Sequence, residues 1–93
     1  MKYIVCNDAK RLIELLINRP IPNYTVVNKS LASFPIFNGD KRVGEICLKA
    51  VSTNRVKLII NLFTPNNQMV VDKAIKRLLA EARVIDKTVK LES

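Results

Sequence analysis

Asn38-Gly39 constrains this chain more than any other pair of residues in it. A two-residue reversal between antiparallel strands needs positive φ twice, and this dipeptide adopts it at little cost, so a hairpin is expected here. Its arms are Leu31–Phe37 and Arg42–Val51. In the second arm Gly44, Ile46, Leu48 and Ala50 fall on one face while Glu45, Cys47 and Lys49 fall on the other, so one face is core and one is wet or paired. Pro35 has no N–H to give a neighbouring strand, which confines the first arm to a sheet edge.

Ahead of the hairpin, Lys2–Cys6 reads as a short strand. Asn7 or Asp8 can cap a following helix, in which Ala9, Leu12, Ile13 and Leu16 recur at helical spacing, and Pro20 ends it near Asn18. Residues 19–23, with two prolines, form a connector. Tyr24–Asn28 is a further strand of β-branched and aromatic residues, either separate from Leu31–Phe37 or joined to it through a bend.

The stretch from Ser52 to Phe63 admits two readings. As a strand it alternates badly, because Leu58, Ile59 and Ile60 are consecutive. As a helix it is capped by Ser52 or Thr53, and Val56, Ile59, Ile60 and Phe63 form a clean stripe, which favours the helix. Leu58 and Leu62 then project from nearly the opposite side, leaving a narrow polar strip around Asn54, Lys57 and Asn61. Such a helix needs two neighbours, its own sheet and a partner. Val56, Leu58, Ile59, Ile60, Asn61, Leu62 and Phe63 are therefore the candidate partner interface.

Pro65 breaks that element, and Asn66 or Asn67 can cap a last helix running to about Ile85, with Val71, Ala74, Ile75, Leu78 and Ala82 inward. Asp72 with Lys76 and Arg77 with Glu81 are i, i+4 pairs on its outer side. Thr88–Leu91 is a short final strand or a frayed end. The fold class expected is α+β: one domain over residues 1–93, a small antiparallel sheet in the order β-α-β-β-α-α, with helices packed on one face. A chain of 93 residues buries only about 60–65% of its unfolded surface, so a dimer or a larger assembly is expected to add burial.

Charge narrows the partner. Sixteen Lys and Arg against eight Asp and Glu leave a formal +8, which points to a polyanion or an acidic protein. Residues 1–40 hold five basic and three acidic side chains, and residues 41–93 hold eleven and five, so most of the excess lies in the second half. Lys41 and Arg42 at the hairpin tip, Arg55 and Lys57 on the middle element, and Lys73, Lys76, Arg77 and Arg83 on the last helix are the candidate nucleic-acid contacts, following a phosphate backbone by charge. The alternative for each run is an ordinary solvated face. Tyr3, Tyr24, Phe34, Phe37 and Phe63 are not interleaved with basic residues and most of them read as core.

What is missing narrows the chemistry. The chain has no His and only two Cys, so imidazole triads, Cys-His dyads and closed zinc sites are not available to it. Its only glycines are Gly39 and Gly44, too few for a phosphate loop, and its eight carboxylates share no setting that would split their pKa values. Neither an enzyme nor a cofactor is expected. Tyr3–Cys6 is too short for a signal-peptide core and no apolar run spans a bilayer, so a soluble cytoplasmic protein without a Cys6–Cys47 disulfide is expected.

Lys29-Ser30, a strand, Asn38-Gly39-Asp40-Lys41, a strand ending Leu48-Lys49-Ala50, and then Ser52 to Asn61 resemble the Pcc family, the small dimer-forming subunits of the KEOPS complex. Val56, Lys57 and Asn61 stand where that family's long helix carries a hydrophobic residue, an Arg and an Asn. The order strand, helix, strand, strand, helix over residues 2–63 is similar too. The resemblance implies a noncatalytic dimerisation module that docks by its helices onto a larger complex supporting tRNA modification, with its basic surface near RNA. The sequence departs from the family at Lys57, which lacks the planar fork of Arg, at Leu62, where the family favours Ser, and in the extra residues 65–93.

A rival reading uses the same elements differently. Glu45–Val51, Ser52–Phe63 and Gln68–Ala82 as strand, helix and helix resemble a ribbon-helix-helix dimeric DNA-binding regulator, with Val70 to Ile75 opening the second helix. Glu45 and Cys47 are poor readers of base edges, however. A structural protein of a ribonucleoprotein particle or a virus is the third class.

Overall fold

The computed structural model describes residues 2–18, 25–28, 31–65 and 68–92. They form β1 (Lys2–Val5), α1 (Ala9–Asn18), β2 (Thr25–Asn28), β3 (Leu31–Asn38), β4 (Lys41–Ser52), β5 (Arg55–Leu62), α2 (Gln68–Ile85) and β6 (Lys90–Glu92). The six strands make one sheet in the order β2-β3-β4-β5-β1-β6, and every neighbouring pair is antiparallel. The class is α+β, as the sequence implies, but the element order is not β-α-β-β-α-α. The connector at 19–23, Tyr24, Lys29-Ser30 and the cap at Asn66 or Asn67 lie outside the described residues.

The main correction concerns residues 52–63, which hold the end of β4, a turn and β5, and no helix. Ser52 pairs with Arg55, so Thr53 and Asn54 make the loop of a second hairpin, and β5 then runs beside β4 from Ala50↔Val56 to Gly44↔Leu62. Ser, Thr and Asn serve helix caps and tight turns by the same local hydrogen bonding, so the expected cap is in fact a turn. An isolated helix of this length, carrying β-branched Val56, Ile59 and Ile60, gains little in water. As a strand it pairs with β4 along its length and with β1 over Arg55–Leu58, and it buries Val56 and Leu58 at 0% and 3% exposure, worth roughly 1.5–3 kcal/mol each. Both are core residues of the chain's own sheet and are not available to a partner. The order strand, helix, strand, strand, helix of the Pcc resemblance is replaced here by strand, helix and four strands, and the ribbon-helix-helix reading loses its first helix.

The first hairpin is shifted by one residue from the expected turn. Its loop is Gly39-Asp40, with Asn38 paired to Lys41, and Gly39 holds the positive φ of 65°. A bulge at Val43 then resets the register, from Phe37↔Arg42 to Ile36↔Gly44. Gly44 is required for packing: a Cβ there would sit 2.6 Å from the Asn61 carbonyl oxygen and 2.9 Å from Leu62 Cδ2. β2 and β3 are two antiparallel strands and not one bent strand, and β2 accompanies β3 only as far as Ser33. Pro35 lies past that point, where its missing N–H costs no bond to β2.

Both helices pack on one face. Ile4, Phe34, Ile36, Ile46, Leu48, Val56 and Leu58 from the strands meet Leu12, Ile13 and Leu16 of α1 and Val71, Ile75, Leu78 and Ala82 of α2 in a single core. Leu79 joins them, while Ala74 is only partly buried. Asp8 caps α1 by accepting from the Arg11 N–H at 3.2 Å, and the Thr53 carbonyl accepts from the Ala9 N–H at 2.7 Å, so the second hairpin turn satisfies an amide that the helix leaves open. Among the described residues no helix is long and apolar enough to cross a membrane.

Candidate nucleic-acid interface

Because the helices share one face, the other face of the sheet carries the alternate residue of each strand. Register aligns them in rows. One row crosses Glu92 of β6, Tyr3 of β1, Lys57 of β5 and Lys49 of β4. The next crosses Lys90, Val5 and Arg55. On the other side follow Ile59, Cys47 and Ser33, then Asn61, Glu45 and Pro35. Ser33 and Pro35 are buried, Tyr3, Glu45, Cys47 and Lys57 half-buried, and Lys49, Arg55, Ile59 and Lys90 exposed.

The polar groups on this face are held in two places. At one end the Arg55 guanidinium pairs with Glu92 and lies over the Tyr3 ring, 5.7 Å from its centroid. At the other, Glu45 accepts from the Ser33 hydroxyl at 2.9 Å and from Asn61 Nδ2 at 3.5 Å, and pairs with Arg42 at 3.5 Å. Arg42 in turn lies over Phe63 at 5.7 Å. Between these ends Lys49 and Lys57 stand directly opposite each other on adjacent strands, with Tyr3 as the next residue in the row. Like charges in that position repel by a few tenths of a kcal/mol, and an anion placed between them reverses the sign. The row can therefore hold a phosphate between two ammonium groups, beside an aromatic ring.

The residues expected at a nucleic-acid surface do not form one surface. Arg42, Arg55 and Lys57 share the open face, with Lys41 at the rim of the first hairpin. Lys73, Lys76, Arg77 and Arg83 lie on the solvent side of α2, across the sheet from them. Arg83 is also engaged at home, its Nε donating to the Val89 carbonyl at 3.3 Å. On the same helix Asp72 accepts from Gln68 Nε2 at 3.0 Å. Sequence reasoning missed Lys49 and Tyr3. Lys49 was legible as an outward residue of its strand, whereas Tyr3 reaches Lys57 only through the pairing of β1 with β5, more than 50 positions apart in the chain.

The described residues include no cluster of side chains able to hold a metal ion. Both thiols are free, and burial, ahead of the neighbouring carboxylates, pushes both up from the ordinary thiol range: Cys6 with Asp86 nearby and Cys47 with Glu45. A raised thiol is a poorer nucleophile at neutral pH. Asp86 is shifted the other way. The Asn7 backbone N–H and then Thr88 donate to its carboxylate and hold it below the usual range. No protein-family model matches this chain, and no curated protein and no solved structure matches it significantly.

Proposed function

We propose that this protein is a noncatalytic basic module that binds RNA by charge through the open face of its sheet. The observation that carries the reading is the Lys49–Lys57 pair, two like charges in register with Tyr3 alongside, on a face that no described helix covers. Lys90 and Arg55, the latter paired with Glu92, stand in the next row, and the excess of +8 over the chain supplies long-range attraction to a polyanion. Backbone contacts of this kind carry no sequence information, so binding is weakly selective and strongly dependent on salt.

The test is a fluorescence-anisotropy titration of a labelled single-stranded RNA at low and moderate salt. Replacing both Lys49 and Lys57 with Gln lowers affinity about tenfold at low salt and flattens the dependence of log K on log salt by one to two contacts. The α2 variant Lys73→Gln with Lys76→Gln stays close to the parent. If the helix variant is the one that weakens binding, the interface lies on α2 and the sheet-face reading fails.

A further inference from the structure

β5 is an inner strand for only half its length. Its β4 side is paired from Val56 to Leu62, but on the other side β1 begins at Lys2, opposite Leu58, so Ile59–Leu62 has no neighbouring strand there among the described residues. The direction of the backbone groups follows from the pairing. The Phe63 N–H donates to the Val43 carbonyl at 2.8 Å, and antiparallel bonding alternates, so the N–H and C=O of Ile60 and Leu62 point away from β4, into the gap. A cleft of about 610 Å³ follows this edge, lined by Ile59 from one face of the sheet, Ile60 and Leu62 from the other, Val71 of α2, and the two lysines Lys2 and Lys57. A cleft that touches both faces surrounds the rim of a strand and is not a groove on one surface.

We propose that the open edge at Ile59–Leu62 is a docking site for an extended acidic segment of a partner protein, which adds as a short strand antiparallel to β5 and continues the line of β1. The N–H and C=O groups of Ile60 and Leu62, which face no described strand, ask for a backbone, which a strand supplies and a lipid or a small apolar ligand does not. The sign of the lining fixes the charge. Lys2 and Lys57 border the cleft, and no carboxylate lines it. Among the described residues the gap spans four positions of β5, roughly 13 Å of extended chain, so it takes one short segment. A second copy of the domain fits poorly, because β1 and β6 extend the sheet on the same side and stand in the way of a folded neighbour. The proposal is independent of RNA binding, although Lys57 borders both sites.

The probe is a fluorescein-labelled peptide, Glu-Val-Thr-Val-Glu-Val-Asp, titrated into the full chain, with amide hydrogen exchange read by NMR. Saturable binding is expected, with new protection at the Ile60 and Leu62 amides. Two further probes carry N-methyl groups on one or the other alternate set of backbone amides. One of them loses at least tenfold in affinity and the other binds nearly as the parent, because an added strand uses only alternate amides toward its neighbour. Leu62→Pro removes a donor that faces the gap and leaves the β4 ladder intact, so it too abolishes binding. Should that variant not fold, the methylated peptides decide alone. Lys49→Gln leaves peptide affinity unchanged while lowering RNA affinity, which separates failure of this proposal from failure of the RNA reading. Equal binding of both methylated probes, equal binding of a peptide with Lys in place of its acidic residues, no binding at millimolar peptide, or a dimer in sedimentation that Leu62→Pro dissolves would each overturn the proposal.

Discussion

The two ends of β5 have the same kind of sequence and opposite surroundings. Val56, Leu58, Ile60 and Leu62 all lie on the helix side of one strand, yet Val56 and Leu58 are sealed while Ile60 and Leu62 are 36% and 37% exposed. At the closed end β1 flanks the strand, the Asn54 carbonyl accepts from the Cys6 N–H, Arg55 pairs with Glu92, and Asp86, just past α2, accepts from the N–H of Asn7, two residues after β1. At the other end no described strand flanks β5 on that side. Burial here is decided by how far a neighbouring strand reaches, not by the hydrophobicity of the residue.

Truncation gives the largest contrast between the two ends. Leu58→Ala should lower the unfolding free energy by about 2–5 kcal/mol in a denaturant titration, since it empties a sealed site. Ile60→Ala should cost less than about 1 kcal/mol, because its side chain is already partly in water. Equal costs would mean that the edge is covered in solution. Gly44→Ala comes next, at about 1–3 kcal/mol by thermal unfolding, because its Cβ meets the Asn61 carbonyl from the β4 side. A neutral result would show that the open end is loose on both sides and not only toward the gap.

The pH dependence examines the closed end with a smaller effect. The Asp86 carboxylate titrates below its unfolded value, so its contribution to stability is fully present above the usual aspartate range, near pH 4, and is lost as pH falls through its lower folded value. Asp86→Asn should therefore be less stable than the parent at pH 6, and the difference should shrink on acidification. An unchanged difference at low pH would show that these hydrogen bonds do not depend on charge. Thiol alkylation at pH 8 reads the smallest effect. Cys47, half-exposed on the open face, should react before buried Cys6, and both should react more slowly than free cysteine. Faster reaction at Cys6 would place the opening motion at the closed end.

Much of the local structure was legible in the residues. The stripe of Ala9, Leu12, Ile13 and Leu16 is the buried side of α1, and Val71, Ile75, Leu78 and Ala82 that of α2. The alternation from Gly44 to Ala50 faces as expected. What failed was Ser52–Phe63, where Leu58-Ile59-Ile60 defeats simple alternation. Ile59 belongs to the open face and is 42% exposed there, so its apolar character carried no information about direction. The basic residues failed for a related reason: helical spacing showed that Lys73, Lys76 and Arg77 share a ridge, but no local spacing shows that the ridge and Lys57 lie on opposite sides of a sheet.

The sequence alone determined the charge of this protein, both helices, and the inward and outward residues of β4, because each follows from spacing over a few neighbouring positions. Only the tertiary structure decided that residues 55–62 are extended, that Tyr3 lies beside Lys57, and that half of β5 has no described neighbour on one side. Those outcomes rest on cross-strand pairing, with β4 in a hairpin and with β1 about 50 positions earlier in the chain, whose free energy outweighs a local helical preference and is not encoded in it.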